Sequence, residues 1–237
     1  MTSDGQSERP AQGSVSILRV VVMTLGTPLL LGSLLFLAAG DLAWQKGWLF
    51  VSACLAANLV LVPYTWRVNP ELLVARSQIR FAKGWDKIWA CFMIPSVAAI
   101  FLVAALDDGR YHWLAVPWWV CGIGYVLFLS AMAVATWVGA VNKFAEPGVR
   151  IQIERGHTVI DTGPYATVRH PGYMSAIPLF VGIAWCLGSL WALIPAALSA
   201  LLLIVRTQWE DQTLQAELPG YKEYTERVRY KLIPRVW

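Results

Sequence analysis

One stretch constrains this chain more than any other. An apolar segment, residues 174–205, is interrupted once at Gly188-Ser189 and carries a polar cluster at each end. Upstream lies Gly163-Pro164-Tyr165-Ala166-Thr167-Val168-Arg169-His170-Pro171-Gly172-Tyr173, and downstream lies Arg206-Thr207-Gln208-Trp209-Glu210-Asp211. Each apolar arm has about 14 to 16 residues and, at 1.5 Å per residue, reaches only ~21 to 24 Å, short of a ~30 Å hydrocarbon core. A helical hairpin turning at Gly188-Ser189 returns both clusters to one membrane face. A single long helix would leave them on opposite faces.

Composition decides the class. Of 237 residues, 57% are hydrophobic and 14% charged, with a mean hydropathy of +0.52. These values predict an all-α, polytopic integral membrane protein of five to six transmembrane helices, the last two forming the short hairpin. Of the 19 Lys and Arg, all but Lys46 and Arg110 fall before or at the opening of the first apolar run, in 67–87, in 142–173, or from Arg206 onward. The positive-inside rule places those regions in the cytoplasm. An even number of crossings after residue 173 follows, which supports the hairpin independently. The same charges line membrane borders without a recognition fold, so topology and anionic lipid explain them and nucleic acid is not expected.

In chain order, residues 1–14 read as a disordered cytoplasmic tail without the order of a cleaved signal peptide. Residues 15–141 hold four spans, at 15–39 (bent near Gly26 and Pro28), 47–66, 88–106 and 113–141, with an outer turn at Asp107-Asp108-Gly109-Arg110. Between the second and third, 67–87 reads as an interfacial loop whose apolar positions 72, 73 and 79, with Arg76 and Arg80, fit a short helix lying on the inner leaflet. Gly122-x-Gly124 follows no strand; it predicts close helix packing rather than a dinucleotide loop. Residues 142–237 supply a polar loop, the hairpin and a helical tail broken at Pro219-Gly220, ending in an apolar plug at Leu232 to Trp237. The four cysteines fall singly in apolar runs and read as small packing residues, neither disulfides nor metal ligands.

Chemistry concentrates at the two clusters. Arg169-His170-Pro171 alone fits a charged anchor followed by a helix-starting proline, and Glu210-Asp211 fits solvated residues of a protruding helix. Together with His157, Tyr165 and Tyr173, they make a dense set of hydrogen-bonding groups at one membrane border. Such a set suits a small zwitterion: carboxylates for an ammonium or ribose, an arginine for a carboxylate, aromatic faces for an adenine or a sulfonium. No metal constellation or nucleophile pairing stands out.

The segments running from His157 to Tyr173, Arg206 to Leu214 and Tyr221 to Trp237 resemble the isoprenylcysteine carboxyl methyltransferase family. That family lies within a wider class of membrane methyltransferases that includes phospholipid N-methyltransferases. Asn69-Pro-Glu-Leu-Leu73 and Lys83-Gly-Trp-Asp-Lys87 resemble its bacterial branch. The resemblance implies a pocket for S-adenosylmethionine without a Rossmann domain; the short loops and compact chain look bacterial, which places the protein in an inner membrane with its pocket facing the cytoplasm. By the same resemblance His157, the Val159 backbone, Gly163, Tyr165, His170, Tyr173 and Glu210 contact the cofactor, and Arg169 and Arg206 place an anionic acceptor. The chain departs from the family pattern at Asp211, Ser175 and Val159. The acceptor implied is a lipophilic small molecule or lipidated acid embedded among membrane lipids. Phospholipid N-methylation is the alternative within this class, and a small transporter or binding scaffold the alternative outside it.

Overall fold

The computed structural model describes residues 17–77 and 83–237. The tail expected at 1–14, and the positions 79 and 80 assigned to an interfacial helix, lie outside them. The described chain is all-helical, with no strand among the described residues. Among the described residues, five helices are long and apolar enough to cross a membrane: α1 (Ile17–Ala39), α2 (Gln45–Val68), α4 (Gly84–Tyr111), α5 (Trp118–Val141) and α7 (Leu193–Glu217). Three shorter ones join them: α3 (Pro70–Ser77), α6 (Pro171–Cys186) and α8 (Tyr221–Arg227).

The bend expected near Pro28 takes the form of a π-helical stretch at Val22–Gly26. Proline lacks an N–H and its ring crowds the carbonyl one turn back, so the widened turn precedes it. The outer turn expected at Asp107–Arg110 is instead the last, π-helical turn of α4, Ala105–Tyr111. It stays helical because its acids are engaged. Asp107 is fully buried and accepts from Ser189 Oγ at 2.6 Å and the Leu114 N–H at 3.2 Å. Asp108 accepts from Lys46 Nζ at 2.6 Å and Trp44 Nε1 at 2.8 Å.

These bonds locate the hairpin. Ser189 sits in the turn between α6 and α7, Lys46 in the first turn of α2 and Asp107 in the last turn of α4, so these three helix ends converge at one end of the bundle. Gly188 is left-handed there (φ 76°), and a β-carbon on it would fall 2.5 Å from Lys46 Nζ. Both polar clusters therefore return to the other end, as expected. The arms are unequal, with 16 residues in α6 and 25 in α7. Glu210 and Asp211 lie within α7 rather than beyond it.

Glycine sets the contact between α5 and α6. A β-carbon on Gly124 would meet the Cys186 nitrogen at 2.6 Å, and one on Gly182 would meet the Phe128 nitrogen at 2.8 Å, whereas Gly122 faces open space. Half of the Gly122-x-Gly124 pair thus serves the packing predicted for both. Around this contact the core gathers Leu35, Phe50, Ile100, Phe128, Phe180 and Leu203. Cys54 and Cys186 belong to it, Cys121 is buried as well, and all four cysteines are free.

Candidate active site

The loop between α5 and α6 reaches the site through a set of local locks. Gly163 adopts φ 57°, and a β-carbon there would stand 3.1 Å from Val141 Cγ2; only glycine takes this turn without strain against α5. Tyr165 follows. Its hydroxyl accepts from Asn142 Nδ2 at 2.7 Å and its carbonyl from the Tyr224 hydroxyl at 2.7 Å. Burial pushes the Tyr165 phenol up to about 12, so it stays neutral. Arg150 is clamped by Glu146 (Nε to Oε2, 2.7 Å) and Glu154. Arg155 ties the loop to α3 through Glu71 at 2.8 Å.

His157 packs on Phe144 with ring centres 4.4 Å apart, and its Nδ1 accepts from the Gln152 N–H at 3.3 Å. Burial, aided by Arg150 and Arg155, holds its pKa below the ordinary value, so the ring is neutral at pH 7. From Thr158 to Gly163 no backbone N–H donates to another protein group among the described residues. This run includes Val159 and borders the site with free donors.

At the start of α6, Arg169 and His170 are pinned through the backbone. Their N–H groups donate to the carbonyls of Tyr230 and Lys231, both at 2.9 Å. These carbonyls lie just before the plug expected at Leu232 to Trp237, which holds them in place: the Lys231 N–H donates to the Trp237 carbonyl at 2.9 Å and Leu232 is fully buried. The Arg169 guanidinium is committed as well. Nε and Nη2 donate to Asp211 at 2.8 and 3.0 Å, and Nη1 to the carbonyls of Val228 and Arg229, both at 2.8 Å. Asp211 also accepts from Gln215 at 2.8 Å and Tyr221 at 3.1 Å, and lies 3.3 Å from His170 Nε2. The expectation that Arg169 aims an acceptor is therefore corrected: its charge is spent inside the protein.

Glu210, one position away, faces the other direction. It accepts from the Tyr173 hydroxyl at 2.5 Å, with Arg206 Nε 3.9 Å away and the His170 ring nitrogen Nδ1 at 4.0 Å. His170 and Tyr173 stack nearly parallel, 5.8 Å apart. Arg206 lies on the Trp89 ring at 3.9 Å. Its Nη2 donates to the Pro147 carbonyl at 2.5 Å and sits 3.1 Å from Asp86, while its buried Nε has no hydrogen-bond partner.

These groups surround a cavity of about 600 Å³, within the range of small-molecule sites. His157, Val159, Tyr165, His170, Tyr173 and Glu210 all line it, as do Arg169 and Arg206. Gly163 does not; it shapes the turn that presents Tyr165. The cavity continues past the polar groups to Met93, Ala135, Ala176, Phe180 and Leu203 on α4, α5, α6 and α7. No group of three His, Cys, Asp or Glu is placed to hold a metal among the described residues.

Sequence reasoning passed over Asp86 and Trp89. Asp86, fully buried, accepts from the Val149 N–H at 2.8 Å and so joins the loop to Arg206. In the sequence it looks like one more interfacial charge between Lys83 and Lys87. Its place in the first turn of α4 is the only hint.

Residues 120–216 match the model of the isoprenylcysteine carboxyl methyltransferase (ICMT) family. The match spans most of α5, the loop, α6 and nearly all of α7, which supply most of the cavity's lining, while Arg76, Met93, Leu218, Tyr221 and Tyr224 lie outside it. The activity that this similarity supports is that of a membrane carboxyl methyltransferase. No individual curated protein matches the chain.

Proposed function

We propose that this protein transfers a methyl group from S-adenosylmethionine to the carboxylate of a membrane-embedded amphiphile. An isoprenylcysteine or another lipidated acid is the acceptor class. The observation that carries the proposal is the shape of the cavity, whose polar end, built by loop, α6 and α7, opens into an apolar part at the level of the spans. A soluble cofactor and a lipid-anchored acceptor can meet in one such space.

The donor set fits the cofactor. Glu210 has one hydroxyl partner and meets Arg206 only at 3.9 Å, which leaves its carboxylate suited to a sulfonium or ammonium. His170 and Tyr173 offer stacked faces, His157 a neutral ring, and Val159 a free backbone donor. Bound there, S-adenosylmethionine supplies an electrophilic methyl that joins a carboxylate oxygen as its carbon–sulfur bond breaks and a neutral thioether leaves. The carboxylate is already ionised at pH 7, so no residue needs to act as base. The protein's tasks are alignment and exclusion of water. Glu210 and Tyr173 fix the cationic partner, Arg206 borders the transfer point with its unpartnered Nε, and Arg169 positions His170 through Asp211.

By the positive-inside rule the end holding the site faces the cytoplasm, in a bacterial cell the cytoplasmic face of the inner membrane. The test is incubation of the purified protein with methyl-tritiated S-adenosylmethionine and native membrane extract. Carboxyl methylation predicts a lipophilic product whose label is released by mild base. Label stable to base in a phospholipid headgroup would transfer the reading to N-methylation, and absence of any labelled lipophile would end it.

A further inference from the structure

Among the described residues, four arginines line the cavity: Arg76, Arg150, Arg169 and Arg206. Three are already neutralised. Arg150 meets Glu146 at 2.7 Å, Arg169 meets Asp211 at 2.8 Å, and Arg206 meets Asp86 at 3.1 Å. Arg76 has no carboxylate, carbonyl or ring partner among the described residues. It is held in place all the same, because α3 is docked on α5 rather than loose at the surface. Asn69 Nδ2 donates to the Gly139 carbonyl at 2.8 Å, Leu72 is fully buried, and Glu71 meets Arg155 at 2.8 Å. A β-carbon on Gly139 would lie 2.7 Å from Leu72 Cδ2 and 3.5 Å from Arg76 Nη2. The glycine thus makes room for α3 and lets the guanidinium lie along the cavity wall.

We propose that Arg76 holds the acceptor's carboxylate, so that α3 sets the acceptor specificity of the site; this rests on the methyl-transfer reading above. Charge balance favours the acceptor over the cofactor as the source of that carboxylate. Among the described lining groups, Arg76 has no carboxylate partner, and the one Arg or Lys within 4 Å of Glu210 is Arg206, at 3.9 Å and already paired with Asp86 at 3.1 Å. A cofactor carrying a net positive charge is drawn to Glu210, and an anionic acceptor to Arg76. Location agrees. Leu73 of α3 packs with Val20 of α1 beside Val62 and Trp66 of α2, at the ends of the spans where an amphiphile's headgroup would lie. A tail anchored from Arg76 has the apolar part of the cavity, at Met93, Ala135 and Phe180, within the same space.

The test uses the full chain in detergent and two probes, an S-prenyl N-acetylcysteine and its methyl ester, with affinities measured by calorimetry. The wild type is expected to bind the acid at least ~10-fold more tightly than the ester, as a charge-assisted contact allows. Arg76→Ala should erase that preference, Arg76→Lys should keep part of it, and neither should change the affinity for S-adenosylmethionine by more than about twofold. The proposal is overturned if Arg76→Ala still prefers the acid or if the wild type shows no preference. A loss of cofactor affinity in Arg76→Ala also overturns it, since the guanidinium would then serve the cofactor. If methyl transfer fails with every acceptor while the acid preference stands, the enzyme reading fails and the role of Arg76 survives.

Discussion

Glu210 and Asp211 are neighbours of like charge, yet their surroundings predict opposite consequences of mutation. Asp211 is almost fully buried and accepts from Arg169, Tyr221 and Gln215. Replacing it with alanine leaves Arg169 buried with only the two carbonyls of Val228 and Arg229, both on Nη1. Breaking a buried pair from one side costs about 3–5 kcal/mol. For a chain of this length that corresponds to a drop of roughly 6 to 20 °C in the melting temperature. Glu210→Gln keeps an oxygen for Tyr173 and sacrifices only a 3.9 Å approach to Arg206, a change of no more than ~1 kcal/mol. Its loss should appear in ligand binding, where one charge-assisted contact is worth ~1.5–3 kcal/mol, or roughly 10- to 100-fold in affinity. Thermal unfolding in detergent and calorimetry with S-adenosylmethionine separate the two. The reasoning is refuted if Asp211→Ala melts like the wild type, or if Glu210→Gln binds the cofactor unchanged.

Three further outcomes follow from the same geometry. Affinity for the cofactor should be level from pH 8 to about 6.5 and fall below that, because His157 is neutral in the folded protein and its proton must enter a site already crowded by Arg150 and Arg155. A depressed histidine means the folded state binds fewer protons than the unfolded one, so stability falls in the same direction as pH drops through the ordinary value toward the lowered one; His157→Gln should flatten both profiles. Gly182→Leu should prevent α5 and α6 from closing and abolish a monodisperse peak in size-exclusion chromatography, whereas Gly122→Ala, facing open space, should elute as the wild type. Lys46→Met should lower the melting temperature by removing the cationic partner of Asp108 and leaving it only the Trp44 N–H, while cofactor affinity measured below the transition stays within about twofold, since the ion pair sits at the opposite end of the bundle.

Much of the fold was legible because its signals are local along the chain. Gly188-Ser189 marks the turn between two short apolar arms, and the placement of Lys and Arg fixes which ends lie together. Span limits were less so: Asp107 and Asp108 look like a polar turn, and only their bonds to Ser189 and Lys46 keep them helical. The site was legible as a set of residues but not as a set of roles. Successive residues on a helix point ~100° apart, so Glu210 turns to the cavity and Asp211 to Arg169, and nothing in the pair itself tells which. Arg169 and Arg206 read as free cations because their acids lie 42 and 120 positions away. Arg76 read as a membrane-surface charge because the docking of α3 on Gly139 depends on a contact between distant helices.

The central claim is that the loop before the hairpin and the helix leaving it share one cofactor. Irradiating the full chain with methyl-labelled S-adenosylmethionine and mapping the cross-linked peptides tests this directly. Label is expected on both the 157–173 and 206–214 segments, displaced by excess unlabelled cofactor. Label on neither, or confined to the end that holds Lys46 and Ser189, would contradict the account.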